Sequence, residues 1–127
     1  MEDSVMIQKM TPVVSRLKKK GGLRLFALDW RPEKKQWEIL VGADWVDYGK
    51  LRDDLGEIFQ EVKKEFNGQY SVLFSGIEPL RSDEQFVQNV TKFMGVSSSA
   101  VNIERTRLGD VYIEKMILFE SNRPKVE

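Results

Sequence analysis

The chain has no histidine and no cysteine in 127 residues. Without histidine it lacks the usual acid/base near neutral pH and the commonest transition-metal ligand. Every Ser-His-Asp or Cys-His machine goes with it. Without cysteine there is no thiolate catalysis, no thiolate zinc site and no disulfide framework, so a reducing, cytoplasmic setting is expected. No apolar run approaches the roughly 20 residues of a membrane span. The acidic N-terminus "MEDSVMIQKM" lacks the apolar segment of a signal peptide. There is no GxGxxG, GxxxxGK[ST] or GxSxG, so no nucleotide-binding or hydrolase signature is present. Carboxylate or lysine acid/base chemistry, oxygen-ligand metals such as Mg²⁺, or no chemistry at all remain. No cofactor is implied.

What is present is ordinary for a globular domain. Hydrophobic residues make up 41% and charged residues 31%, unlike a disordered chain. The length suits a single domain over 1–127, able to bury roughly two-thirds of its unfolded surface without a staple. Formal net charge is zero but unevenly spread: residues 1–43 carry nine basic and five acidic side chains, 44–99 six and ten, 100–127 five of each. Such a dipole can dock a charged partner or associate head to tail, unless the halves fold together and cancel.

The order of patterns is α-β-β-α-β-α-β-β. "TPVVSRLKKKGG" (11–22) reads as a helix with Thr11 as N-cap, Pro12 in the first turn and Gly21 as the stop. Residues 3–10 either extend it through a kink or stand apart. "LRLFALDW" (23–30) and "QWEILVGA" (36–43) alternate with period two around the turn "RPEKK", as a half-buried hairpin requires. Trp30 and Trp37 flank that turn and should meet across strands. Residues 47–68 carry one apolar stripe, Leu51, Leu55, Ile58, Phe59, Val62 and Phe66, with Asp47 as N-cap and Asn67 or Gly68 as the end. "YSVLFSGI" (70–77) reads as a buried central strand. "SDEQFVQNVTKFMG" (82–95) is a helix with a Ser82/Gln85 capping box and Phe86, Val87, Val90, Phe93 and Met94 inward. Residues 101–107 and 111–120 form a hairpin around "LGD", and 121–127 reads as a frayed tail. The expected fold class is therefore α+β: one mixed five-stranded sheet, with helices mainly on one face.

Parallel strands two and three would gather their following loops at one end of the sheet, where open sheets bind ligands. That end would hold Asp44, Trp45, Tyr48, Ser75, Glu78 and Arg81. Trp45 either covers the sheet end or anchors a ligand. Arg81 beside a helix N-terminus outlines an anion pocket, although Asp83 and Glu84 already answer the dipole. Asp44 and Glu78 would be an acid–base pair or a Mg²⁺ site, or merely solvated carboxylates.

The basic runs "RLKKK", "RPEKK" and "ERTR", with Trp30 and Trp37 near the second, meet the needs of single-strand binding only loosely. The neutral charge and a pI near 6.4 argue against nucleic acid. The last strand is apolar on both sides, with Tyr112, Met116 and Leu118 opposite the Val111–Ile113–Ile117 face. If helices cover one face only, a second copy is the simplest cover for the other. A homodimer through Tyr112, Met116 and Leu118 is expected. The functional expectation is a small binding or accessory domain for a protein or small ligand. Carboxylate-based catalysis is the alternative, and single-stranded nucleic-acid binding comes third.

Overall fold

The computed structural model describes residues 1–47, 51–97 and 99–122. The elements in order are α1 (Asp3–Lys19), β1 (Leu23–Arg31), β2 (Gln36–Ala43), a short α2 (Asp44–Asp47), α3 (Leu51–Phe66), a single turn α4 (Tyr70–Leu73), β3 (Phe74–Leu80), α5 (Gln85–Phe93), β4 (Val101–Leu108) and β5 (Val111–Ser121). They form one mixed sheet of five strands in the order β3-β2-β1-β5-β4, as an α+β chain. Strands β2 and β3 are parallel, and the other neighbours are antiparallel. Among the described residues no helix is long and apolar enough to cross a membrane.

Residues 3–10 belong to α1, because Met6 and Met10 continue the buried stripe of Val13, Val14 and Leu17. Thr11 is therefore not an N-cap. It lies mid-helix, and its Oγ1 donates to the Ile7 carbonyl at 2.7 Å. Pro12 is tolerated inside the helix. Gly21 ends the helix with φ +84° and its N–H on the Lys18 carbonyl, the left-handed exit that glycine adopts without penalty. Asn67 (φ 50°) and Gly68 (φ 82°) end α3 likewise. The N-cap role expected of Asp47 and the contact expected of Leu51 lie outside the described side chains.

Strand β1 is at the centre of the sheet and is covered on both faces. On one face, α1 and α3 bury Phe26, Leu28, Trp37, Ile39, Val41, Phe74, Ile117 and Phe119. On the other, Val87 and Val90 of α5 pack on Leu25, Ala27, Leu40, Leu80, Met116 and Leu118. Two long helices thus share one face and a third takes the opposite one. The first hairpin is consequently buried on both sides rather than half-buried.

Four further expectations are corrected. The run 70–77 opens as a helical turn, and its strand, β3, is an edge strand rather than a central one. An edge also suits Pro79, which has no N–H to donate. The α5 helix begins at Gln85 with Glu84 as N-cap, two residues beyond the Ser82 expected in that place. Phe93 faces outward at 52% exposure. Ser121 is not frayed: it is buried within β5, and Asn122 N–H still reaches the Arg24 carbonyl. Residues 123–127 lie outside the described residues.

Candidate functional site

The α5 face of the sheet changes character along its strands. On that face β1 presents Leu25 and Ala27, then Asp29 and Arg31. Across it, β2 presents Leu40 and then Glu38, and β3 presents Leu80 and then Glu78. The apolar half lies under α5. The charged half does not, and the reason is length. Nine helical residues span about 13 Å, whereas an eight-residue strand such as β2 runs about 26 Å. A helix that short leaves half the face uncovered, and the sequence fills that half with charge.

The uncovered half is a cavity of about 300 Å³. Asp29, Arg31 and Glu78 line it, with Glu84, Phe86 and Tyr112 among its walls. Arg31 Nη2 reaches Glu38 Oε1 at 2.6 Å and Asp29 Oδ2 at 3.4 Å. Glu78 hydrogen-bonds Glu38. The two are diagonal neighbours across parallel strands, since Glu38 is level with Gly76 and Leu40 with Glu78. Two ionised carboxylates cannot share a hydrogen bond, so Glu78 carries the proton.

The titration of each group follows from this arrangement. The bond to Glu38 and then burial push Glu78 up to about 7. Burial works upward on Glu38 too, but hydrogen bonds from Glu78 and Arg31 outweigh it and hold that carboxyl below its usual range. Burial raises Asp29, with Arg31 opposing. The Glu38 carboxylate raises Arg31 further. Three acidic groups and Glu84 thus surround one arginine already held by two of them. Chemically, the cavity can accept a positive group, or it can take up and release a proton near neutral pH. Among the described residues no three carboxylates converge in an arrangement that would hold a metal ion.

Of the six residues expected at the carboxyl end of the sheet, the five that are described do not form one site. Asp44 lies there, gripped by Arg24 through Nε–Oδ1 at 3.0 Å and Nη2–Oδ2 at 2.9 Å. Trp45 lies beside it, partly buried against the cluster under α1 and α3. Arg81 follows β3 and is paired with Asp83 at 3.1 Å. Ser75 is at the other end of the strand pair, with its hydroxyl 3.5 Å from the Trp37 carbonyl. Glu78 sits level with Leu40, four residues and about 13 Å of strand short of Asp44. An Asp44–Glu78 pair is therefore not assembled. Tyr48 lies outside the described residues.

Sequence reasoning singled out Glu78 but missed its partners Asp29, Arg31 and Glu38. A signal was there. Strand positions 25, 27, 29 and 31 run Leu, Ala, Asp, Arg, and 38 and 40 run Glu, Leu. A face that turns from apolar to charged part-way along a strand marks where its cover stops.

Met116 and Leu118 are buried beneath α5 by the chain itself, whereas Tyr112 is 54% exposed. The need for a second copy to cover the first two therefore disappears. Ile113 joins Met116 and Leu118 in one cluster despite its odd spacing from Met116. Arg105, opposite this stretch on β4, has φ 46°, and such a backbone break re-aims the side chains that follow. Trp30 and Trp37 meet as expected, with rings 5.1 Å apart at 65°. Trp37 is buried and belongs to the core.

In comparison with known proteins, no family model matches the chain, and no curated protein or solved structure is significantly similar to it.

Proposed function

We propose that the chain is a small binding domain whose working surface is the uncovered half of the α5 face. It accepts a positively charged group, an ammonium or guanidinium, borne by a protein or small ligand. The carrying observation is the cavity where Asp29, Glu78 and Glu84 surround one arginine that Glu38 and Asp29 already hold. Phe86 and Tyr112 are among the residues that line it, and an aromatic wall suits a cation. The cavity opens beside the end of α5, so this part of the face has both access and chemistry. A cysteine-free chain is compatible with work in the reducing cytoplasm.

Titration with methylguanidinium, followed by NMR at Tyr112 and Phe86, tests this reading. Saturable shifts are expected, weakened in Glu78→Gln and Asp29→Asn. Unshifted resonances at millimolar ligand would remove the proposal. A second reading rests on the Glu38–Glu78 pair alone: a carboxyl poised near 7 beside an ionised one suits general acid/base catalysis. Its mark would be turnover that follows the protonation of Glu78 and vanishes in both Glu38→Gln and Glu78→Gln.

A further inference from the structure

A second cavity, of about 170 Å³, lies on the face of the sheet that α1 covers, opposite the acidic one. Val14, Ser15 and Lys18 of α1 line it, with Ala100 before β4 and Phe119 and Glu120 of β5. Glu120 is 1% exposed, and a carboxylate is almost never buried so fully unless it is paired. A bulge puts it there. Phe26 of β1 stands opposite Glu120, but the next residue, Ala27, stands opposite Leu118, so β5 has one residue more than its partner. In a regular strand Phe119 and Glu120 would point to opposite faces. A bulge re-aims the side chains beside it, and here both border the cavity.

The partners of Glu120 do not use up its carboxylate. Asn122 Nδ2 donates to Oε1, and Lys18 Nζ stands 3.7 Å from the same oxygen. That is an ion pair too long for a hydrogen bond, and Lys18 Nζ donates instead to Ser97 Oγ. Among the described residues no hydrogen bond reaches Oε2. The cavity thus offers a carboxylate with an unused oxygen, an ammonium beside it, and apolar surface from Val14, Ala100 and Phe119.

We propose that this cavity binds a small α-amino acid with an aliphatic side chain. The ligand's ammonium meets Glu120, its carboxylate meets Lys18, and its side chain lies among Val14, Ala100 and Phe119. A lone cation or a lone anion would satisfy one protein charge and be repelled by the other. A zwitterion answers both and leaves no charge unpaired away from water. The size agrees, since a cavity of roughly 150 Å³ holds benzene and valine is only slightly larger. The site is separate from the cation surface and does not depend on it.

Titration with L-valine, followed by NMR at the methyl groups of Val14 and Ala100, tests the proposal. Saturable shifts at millimolar ligand are expected. Isobutylamine lacks the carboxylate and isovalerate lacks the ammonium. Each should bind roughly tenfold or more weakly, the loss of one hydrogen bond between charged groups. Glu120→Gln keeps the shape of the side chain and should weaken valine binding to the same extent. Lys18→Met, at an exposed position, should do so with folding intact by circular dichroism, and it decides the matter if Glu120→Gln does not fold. Absent shifts overturn the proposal, as does a single-charge analogue that binds as tightly as valine. A Lys18→Met chain that binds valine like the parent overturns it too.

Discussion

Glu78 on β3 hydrogen-bonds Glu38 on the parallel neighbour β2, and the bond holds a proton on Glu78 up to about pH 7. The folded value lies above the ordinary 4.5, so the folded chain binds more protons than the unfolded one between those values. Stability must then fall as pH rises from about 4.5 to about 7. The fall should be modest, since Glu78 is mostly solvated. Glu38 acts in the opposite sense: its lowered carboxyl contributes stability that is lost only in acid below its usual range. Urea midpoints measured from pH 4 to 8 should show the decline in the parent and a flatter profile in Glu78→Gln. Identical profiles would mean that the two side chains do not share a proton.

The Trp30–Trp37 pair shows which residues at the hairpin are structure rather than surface. Trp37 is 5% exposed, with Lys115 5.5 Å above its ring. Truncation to alanine should cost about 3–5 kcal/mol, as for large buried aromatics. Trp30 is only partly buried, so its truncation should cost less. Thermal or urea unfolding of both variants gives the order directly. Equal, small losses would return the hairpin to the list of interaction surfaces.

The elements most legible in the sequence were those whose own pattern decides them. The stripe Ile58–Val62–Phe66 and the alternation of Phe26 and Leu28 with Leu25 and Ala27 specify a helix and a strand whatever lies around them. What could not be read was which element covers which. Leu25 and Ala27 look like the second side of a half-buried strand until α5 is known to lie on them. The site failed for the same reason. Asp29, Arg31 and Glu38 become neighbours only through strand register, and their openness depends on a helix ending early. Tyr70 and Val72 have strand propensity, but Tyr70 meets Phe59 edge to face at 4.8 Å within a helical turn, a tertiary contact that overrides the local preference.

The Arg24–Asp44 fork fixes the start of α2 beside the sheet end. Its members are 21% and 40% exposed, so water screens part of the attraction. Asp44→Asn should cost about 1 kcal/mol, the range for a well-formed but partly exposed pair. Gly22 packs against the same aspartate, and a Cβ there would lie 3.4 Å from Asp44 Cβ with φ at +78°. Gly22→Ala should therefore destabilise through backbone strain, by about 1 kcal/mol or more. A stable Gly22→Ala chain would contradict the left-handed conformation at that turn.

Pro12 sits inside α1, where it leaves the Gln8 carbonyl without its helical N–H. Its ring is half-buried while Gln8 is exposed, so water can meet the carbonyl and the core does not depend on the ring. Pro12→Ala restores the donor and a better helix former. Stability should rise, by as much as about 2–3 kcal/mol. Loss of stability instead would show that the proline shapes the packing of Met10 and Val13.

The side chains of β5 separate core from contact within a few residues. Leu118 is 0% exposed and Met116 1%, both within the cluster that α5 closes. Leu118→Ala should cost about 2–5 kcal/mol through the cavity it leaves, whatever the assembly state. A charge at Met116 should unfold the chain, because nothing apolar there can solvate it. Tyr112, by contrast, is 54% exposed, and Tyr112→Ala should change monomer stability by less than about 0.5 kcal/mol, as surface changes do. Urea unfolding of Tyr112→Ala beside Leu118→Ala measures the difference directly. A large loss of stability in Tyr112→Ala would place the residue in the core despite its exposure.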